Sequence, residues 1–329
     1  MTTTTPSTLN TDRGVRRYGD IRDLLPDVDN PTPLVRVRRV MPDPGISLFL
    51  KLEWLNPFGS IKDRAAAAML AGLEERGELA GKEIVEASSG NTAIALAAMA
   101  ALAGTRLTVT IPDGVPEEKK VLLRMLGAEV WETPDDLCPV DHPKDGAIAL
   151  ARSLAASAGG ERFVTTNQYE NEDNVRAHYE TTGPEIWRQT EGEVRYFLAG
   201  FGTCGTITGV GRYLKEREPS IRIIAVEPQR GHRLPGLKNF QEAKQPAILD
   251  WDVVDHVIGV DDDDAYTTTK RLFREEGLMV GPSTGAIVHA ASLLGDEHGG
   301  IAVGVSPDGG LKYTSYFAEI LGDEGLPQI

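Results

Sequence analysis

Cysteine is scarce in this chain: Cys138 and Cys204 are the only two in 329 residues. Such a pair supplies neither a disulfide framework nor the spacing of a zinc site, which points to a reducing, cytoplasmic setting. Basic residues are outnumbered, 34 Lys and Arg against 49 Asp and Glu, for a formal net charge of -15. A general grip on nucleic acid needs a basic surface, so that class is excluded, while a local basic pocket for a small anion is not. No run of about 18 apolar residues occurs, which excludes a membrane-spanning helix. The opening MTTTTPSTLNTDRGVRRYGD lacks the apolar core of a signal peptide. The six histidines show no ligand spacing, and the run Asp261, Asp262, Asp263, Asp264 lacks the Gly and Glu positions of a calcium loop. That run fits the start of the helix that follows, where carboxylates favour the exposed N–H groups. No metal is expected.

What is present is an alternation. The composition, 41% hydrophobic and 25% charged, suits one large or two moderate cores. From SLFLKLEW onward, strand-like EIVEA, LTVTIP, AEVWE, RFVTT, YFLAG, IRIIAVEP, HVIGV and IAVGVSP alternate with segments of helical spacing. Two of those helices close on glycines, IKDRAAAAMLAGLEERG on Gly77 and NTAIALAAMAALAG on Gly104. The pattern predicts an α/β protein of two αβα domains with mostly parallel twisted sheets. A break near Ala158, Gly159 and Gly160 sets the expected division: a disordered tail at 1–12, a smaller domain at 50–158, and a larger one from 13–49 plus 159–329. NPTPLVRVRRV is expected to pack with the larger group. The irregular stretch from EPQRGHRLPGLKNF to DWDVVD reads as a long functional loop.

Three strand-to-helix junctions share one chemistry. VEASSGNTAIALA places Ser88, Ser89, Gly90, Asn91 and Thr92 between a strand and an apolar helix. LAGFGTCGTITGVG does the same with Gly202, Thr203, Cys204, Gly205 and Thr206, and MVGPSTGAIV opens a helix with Ser283 and Thr284. Peptide N–H groups at such turns can hold carboxylate or phosphate, and glycines let an anion approach closely. Ser and Asn are also ordinary N-caps, so one such turn decides nothing. Three at the carboxyl ends of strands, where α/β clefts lie, indicate a small anion gripped from several sides. GFGTCG has the wrong spacing for a dinucleotide fingerprint, and no P-loop is present. Lys62 in NPFGSIKDR sits at a helix start, where partial positive charge disfavours a cation. A lone lysine is ordinarily solvated. Beside an anion cradle, a depressed pKa instead leaves a neutral amine able to form a Schiff base with a carbonyl cofactor.

In this order, NPFGSIKDR, SSGNT, GTCGT and GPSTGA resemble the cysteine synthase and cystathionine β-synthase family of fold-type II pyridoxal-phosphate enzymes, which share a tryptophan synthase β-like fold. The resemblance implies pyridoxal 5'-phosphate as cofactor and Lys62 as its Schiff-base lysine and general base. It implies Asn91 against the cofactor's 3-oxygen, Gly202, Thr203, Cys204, Gly205 and Thr206 around its phosphate, and Ser283 facing the pyridine nitrogen. A hydroxyl there leaves that nitrogen largely unprotonated, which suits β-elimination over transamination. Ser88, Ser89, Gly90, Asn91 and Thr92 map onto the substrate loop, and Gln168 of NQYENEDN onto a glutamine that helps hold the substrate carboxylate. The implied reaction replaces the β-substituent of an activated L-serine with sulfide or another thiol, through an aminoacrylate, to give L-cysteine. A homodimer acting on small molecules is implied as well.

Some positions depart from the pattern. Ser88 stands where the family usually has threonine, and Cys204 where the phosphate loop usually has glycine. A Cβ at that position argues against a positive φ. A helix start lowers a thiol pKa, but the favoured expectation for Cys204 is a small buried packing residue. EPQRGHRLPGLKNF resembles the loop of the O-phosphoserine-using branch, with Lys238 at its basic position and Arg230 or Arg233 as further cationic partners for a phosphate. Solvated loop charges are the competing reading, and O-acetylserine stands as the other donor. SPDGGLKY resembles a segment bordering the cofactor ring, which puts Asp308 behind the residues that touch it, and His178 is expected to be structural. Rival functions are β-replacement with another nucleophile (a cystathionine or diaminopropionate-type synthase), a serine or threonine dehydratase, which SSGNT disfavours, and a silent scaffold. Retention of Lys62, Asn91, Gly202 and Ser283 disfavours the last.

Overall fold

Short runs of Val, Ile and Leu buried on both faces form strands inside parallel sheets, and the computed structural model shows ten of them among its described residues, 17–41, 45–134, 146–294 and 299–321. The expected tail at 1–12 and Cys138 lie outside those residues. The strands are β1 (Leu34–Arg36), β2 (Ile46–Leu52), β3 (Glu83–Ala87), β4 (Leu107–Pro112), β5 (Glu129–Thr133), β6 (Phe163–Thr165), β7 (Val194–Gly200), β8 (Arg222–Pro228), β9 (His256–Val260) and β10 (Gly300–Ser306). One sheet has the order β1-β2-β10-β7-β8-β9 and the other β5-β4-β3-β6. Every pairing is parallel except that of β1 with β2. The NPTPLVRVRRV segment thus joins the larger sheet through β1.

The expected division at 158 needs correction at two points. β2 lies wholly in the six-stranded sheet, so residues 50–52 belong with the larger unit. β6 pairs with β3 through Glu83 and Phe163, so the chain stays in the smaller sheet beyond 160. The Ala-Gly-Gly break is only the end of a crossover. Helix α4 closes at Ala156, a tight turn at Ser157–Gly160 follows, and the chain re-enters the same sheet as a parallel βαβ unit must. Composition marked a turn there, not a domain boundary.

The helices are α1 (Lys62–Glu75), α2 (Asn91–Ala103), α3 (Glu117–Met125), α4 (Ala147–Ala156), α5 (Glu172–Ala177), α6 (Gly183–Gln189), α7 (Gly205–Arg217), α8 (Asp262–Arg271), α9 (Pro282–Ser292) and α10 (Thr314–Leu321). Gly77 and Gly104 follow α1 and α2 at φ +69° and +66°, the left-handed stop that glycine adopts without strain. Asp261 caps α8 by accepting the Asp264 N–H at 2.8 Å, which accounts for the acidic run. Leu48, Leu50, Phe197, Ile223 and Val303 fill the core of the six-stranded sheet, and Ile84, Leu96, Val109 and Ile111 that of the smaller one. The long loop between β8 and β9 is without strand or α-helix.

Four charges are buried together where β2, α1 and α6 meet. Lys51 Nζ donates to Glu185 Oε2 at 2.6 Å, Arg64 Nε donates to Glu53 Oε2 at 2.7 Å, and Arg64 also pairs with Glu185. Thr32 Oγ1 donates to Glu53 at 2.7 Å, and its carbonyl accepts from Lys51 at 2.8 Å. Two cations and two anions cancel, so the group tolerates burial only as a set. Burial by itself raises the Glu53 carboxyl, but Arg64, Lys51 and Thr32 together hold it down to about 2. A carboxyl lowered in the folded state contributes stability that is present above its unfolded value and lost as pH falls through its folded one. The urea midpoint should therefore drop between about pH 4.5 and about pH 2, and Glu53→Gln should flatten that drop. At neutral pH, Arg64→Met should lower stability by about 3–5 kcal/mol, since it leaves two buried carboxylates to one lysine. A loss below about 1 kcal/mol in urea unfolding would show that the cluster is dispensable.

Candidate active site

The turn ahead of Lys62 is built by its own sequence. Gly59 takes φ +84°, which a side chain would resist. Asp63 accepts the Phe58 N–H at 2.6 Å and the Ser60 hydroxyl at 3.3 Å, while Ser60 Oγ accepts the Lys62 N–H at 3.2 Å. Ser60 thus holds the first amide of α1 from one position before the N-cap residue Ile61, which itself makes no side-chain cap bond. The Ile61 N–H donates to Pro307 O at 2.8 Å, tying the turn to the end of β10. Lys62 then opens α1 into a cleft where the two sheets meet. Burial pushes its amine below the usual lysine range, opposed by the nearby Cys204 and Asp308.

Asn91, Gly202, Thr203, Cys204, Thr206 and Ser283 line the same cleft as Lys62. Pro235, Gly236 and Leu237 of the long loop and Pro307 and Asp308 after β10 line it as well. Its atom-free space is about 610 Å³ counting the open mouth, within the usual range for small-molecule sites. Helices α2, α7 and α9 begin here, and none carries a side-chain cap. Their first N–H groups have no partner within the helix, which makes the cleft suited to an anion. Close approach is enforced by glycine: a Cβ on Gly202 would lie 2.8 Å from Gly236 O, and one on Gly205 would lie 2.2 Å from Asn174 Oδ1. Asn174 Nδ2 donates to Thr203 Oγ1 at 3.2 Å. His178 holds Thr206 Oγ1 at 3.2 Å through Nε2 and Thr182 Oγ1 at 2.9 Å through Nδ1. Burial, with Arg64 and Lys62 beside it, pushes His178 down to about 3. It is therefore a neutral brace behind the loop.

Cys204 corrects one expectation and fulfils another. It adopts φ +68° despite its Cβ, because the residue sits where the chain reverses from β7 into α7 and its buried surroundings hold it there. Its thiol is buried, with Sγ 3.9 Å from Gly202 O, and burial pushes it up to about 12. Desolvation outweighs any lowering by the helix start, leaving a packing thiol.

The expected substrate residues stand around this lining. Ser88, Thr92 and Gln168 are buried, Ser89 and Gly90 half-buried. Thr92 Oγ1 donates to Gln168 Oε1 at 2.7 Å, and Gln168 Nε2 donates to Glu86 Oε1 at 3.2 Å. Lys238 is buried next to Leu237, its Nζ 5.0 Å from the centre of the Tyr169 ring. Arg230 and Arg233 do not accompany it: both are exposed and face Glu242 and Glu319 at 3.8 Å, because solvent offers their guanidinium groups better hydration. Asp308 borders the cleft, donating nothing and accepting from Asn91 Nδ2 at 2.6 Å and from the Tyr313 hydroxyl. Glu86, Lys312 and Tyr313 were not singled out from the sequence. Glu86 is signalled only as a charge inside the apolar strand EIVEA, and the other two as the last residues of SPDGGLKY.

The donor set fits one cofactor. A phosphate suits the uncapped helix starts and the threonine hydroxyls, a carbonyl suits the Lys62 amine, which burial pushes below the usual lysine range, and Asp308 Oδ1 is buried with no protein partner. The sequence profile described as "Pyridoxal-phosphate dependent enzyme" matches residues 25–306. The chain belongs to that family. This pyridoxal-phosphate dependent enzyme is 40% identical over 299 residues to cysteine synthase B of Salmonella typhimurium, covering 90% of this chain and 95% of that one. It is 38% identical over 314 residues to a cysteine synthase of Aquifex aeolicus, covering 92% and 94%. Its fold matches the crystal structure of a cysteine synthase (OASS) from Entamoeba histolytica with TM-score 0.83, 30% identity and coverage of 97% and 95%. An O-ureido-L-serine synthase structure matches with TM-score 0.84, 33% identity and coverage of 95% and 98%.

Cys204 should resist iodoacetamide in the folded enzyme at about pH 8, where its thiolate is not populated, and react once urea unfolds the chain. Peptide mass mapping reads this directly, and rapid alkylation in the folded state would overturn the buried-thiol assignment.

Proposed function

We propose that this enzyme makes L-cysteine by β-replacement on an activated L-serine, O-phosphoserine or O-acetylserine, with sulfide or another thiol as nucleophile. The observation that carries this reading is the Lys62 amine, pushed below the usual lysine range by burial, in one cleft with three uncapped helix starts. The relatives named cysteine synthase supply the reaction type. Pyridoxal phosphate, when bound, supplies the carbonyl and the electron sink for loss of the α-proton and the β-substituent. Lys62 holds the cofactor, takes the α-proton at Nζ and later returns it. Gly202, Thr203, Cys204, Gly205 and Thr206 hold the phosphate with N–H groups and hydroxyls, Asn91 holds the ring oxygen, and the Ser283 hydroxyl faces the ring nitrogen. Ser88, Ser89, Gly90, Asn91 and Thr92 bind the substrate carboxylate together with Gln168, whose amide Glu86 and Thr92 orient.

Between the two donors, the buried Lys238 ammonium beside Leu237 supports a phosphate leaving group. A second reading, a different nucleophile, is favoured by the likeness to the O-ureido-L-serine synthase structure. A cytoplasmic homodimer belongs to the same proposal; among the described residues no helix is long and apolar enough to cross a membrane.

Holoenzyme mixed with each serine ester separately, then with sulfide, should release cysteine from at least one, measured by mass spectrometry. Release from neither, with no change in the cofactor's visible spectrum, would sink the proposal. Lys62→Ala should lower turnover by at least about 10²-fold to 10⁴-fold, the range for loss of a general acid–base group. Lys238→Ala should slow the phosphoserine reaction far more than the acetylserine one, and equal slowing would reject phosphate recognition by Lys238.

A further inference from the structure

Lys312 takes no part in the roles above, yet its ammonium touches both segments that define the site. Nζ donates to Gly59 O at 2.9 Å and to Asn91 Oδ1 at 2.8 Å, and Phe58 O lies at 3.5 Å. Phe58 and Gly59 form the turn ahead of Lys62, and Asn91 opens α2 in the smaller unit. Lys312 itself sits on the tight turn Gly310–Tyr313, which follows β10 of the larger sheet. One side chain thus joins three segments at the rim of the cleft.

The contact with Asn91 also carries direction. The two ends of an Asn amide have nearly the same shape, so packing alone does not decide which end faces where. A lysine ammonium has three donors and no acceptor. Three oxygens surround Nζ, and only the ammonium form offers each of them a hydrogen. Asn91 must therefore present its oxygen to Lys312, which turns Nδ2 toward Asp308 Oδ2 at 2.6 Å, on the side where Asp308 and Asn91 both line the cleft. The Tyr313 hydroxyl, next in sequence to Lys312, holds that same Asp308 oxygen.

We propose that Lys312 is a positioning residue for Asn91, fixing its amide with the donor end toward the cleft so that Asn91 can donate to a ring oxygen there. The inference rests on the reading of Asn91 as the partner of the cofactor's ring oxygen. A deprotonated ring oxygen needs a donor, and a reversed amide would present a carbonyl to it. Without the lysine, only Asp308 Oδ2 still asks for the donor end of Asn91, and the turn ahead of Lys62 loses its link to α2.

The test is a double-mutant cycle of Lys312→Met with Asn91→Ala, read by the visible spectrum of the bound cofactor and by the dissociation constant for pyridoxal phosphate. Lys312→Met should shift the spectrum and weaken binding about 10-fold to 100-fold, the scale of a lost charge-assisted hydrogen bond. It should add almost nothing in the Asn91→Ala background, since the pair acts as one unit. Lys312→Arg, also a pure donor, should restore the wild-type spectrum. Wild-type spectrum and affinity in Lys312→Met, or an equal effect in both backgrounds, would overturn the inference alone. Failure of the wild-type chain to take up pyridoxal phosphate would overturn the proposed function and this inference with it. Should the Met variant not fold, Lys312→Gln serves, because its amide accepts either orientation of Asn91. A shifted spectrum at an unchanged urea midpoint supports the role, and an unshifted one rejects it.

Discussion

Peptide N–H groups in the first turn of a helix have no partner inside that helix, and in this protein three helices leave them without side-chain caps at one cleft. Much of the site answers to that constraint. The strands that feed α2 and α7 lie in parallel pairings, so β3 and β7 deliver their junctions at the carboxyl ends of their sheets, as β10 delivers Pro307 and Asp308. Glycines at 202 and 205 keep the backbone close against Gly236 and Asn174, where any side chain would collide. The same concentration of partial positive charge disfavours a protonated lysine. Burial then completes the effect on Lys62.

Around this polar opening the scaffold is held by charges that have no solvent to relax into. Arg64 lies two residues beyond Lys62 and is locked to Glu53 and Glu185, which connects the first turn of α1 to β2 and α6. On the other side, Ser60 and Ile61 are tied to Asp308 and Pro307. Lys62 is therefore gripped before and after in sequence by elements of the larger sheet, while Asn91 arrives from the smaller one. His178 does for Thr206 what the carboxylate of Glu86 does for Gln168. Each is a buried polar group whose partners fix the direction of a cleft residue.

Much of this was legible in the sequence, and the reasons are local. Strand and helix alternate because side-chain periodicity is a property of neighbouring residues, and Gly77 and Gly104 mark helix ends because glycine alone enters the left-handed region without strain. Lys62, Asn91, Ser283 and the 202–206 loop were recognisable because each sits in a short stretch whose composition already specifies a turn. Glu53, Lys51, Glu86 and Lys312 were not. A buried charge in a strand looks like an exposed one until its counter-charge is known, and Glu185 stands 134 residues from Lys51.

The sequence by itself determined the alternation of strand and helix, two of its three expected strand-to-helix junctions, at 88–92 and 202–206, and a lysine at a helix start; α9 follows only the isolated bridge of Val280, not a strand. Only the tertiary structure decided which elements share a sheet, as with β6 pairing to β3 beyond the Ala-Gly-Gly break. It alone decided that Cys204 accepts a left-handed backbone, that Arg230 and Arg233 stay with surface carboxylates, and that Lys312 meets Asn91 across 221 residues. Periodicity and turn propensity act over a few residues of one segment, whereas partner choice, enclosure and desolvation depend on which distant segments come together.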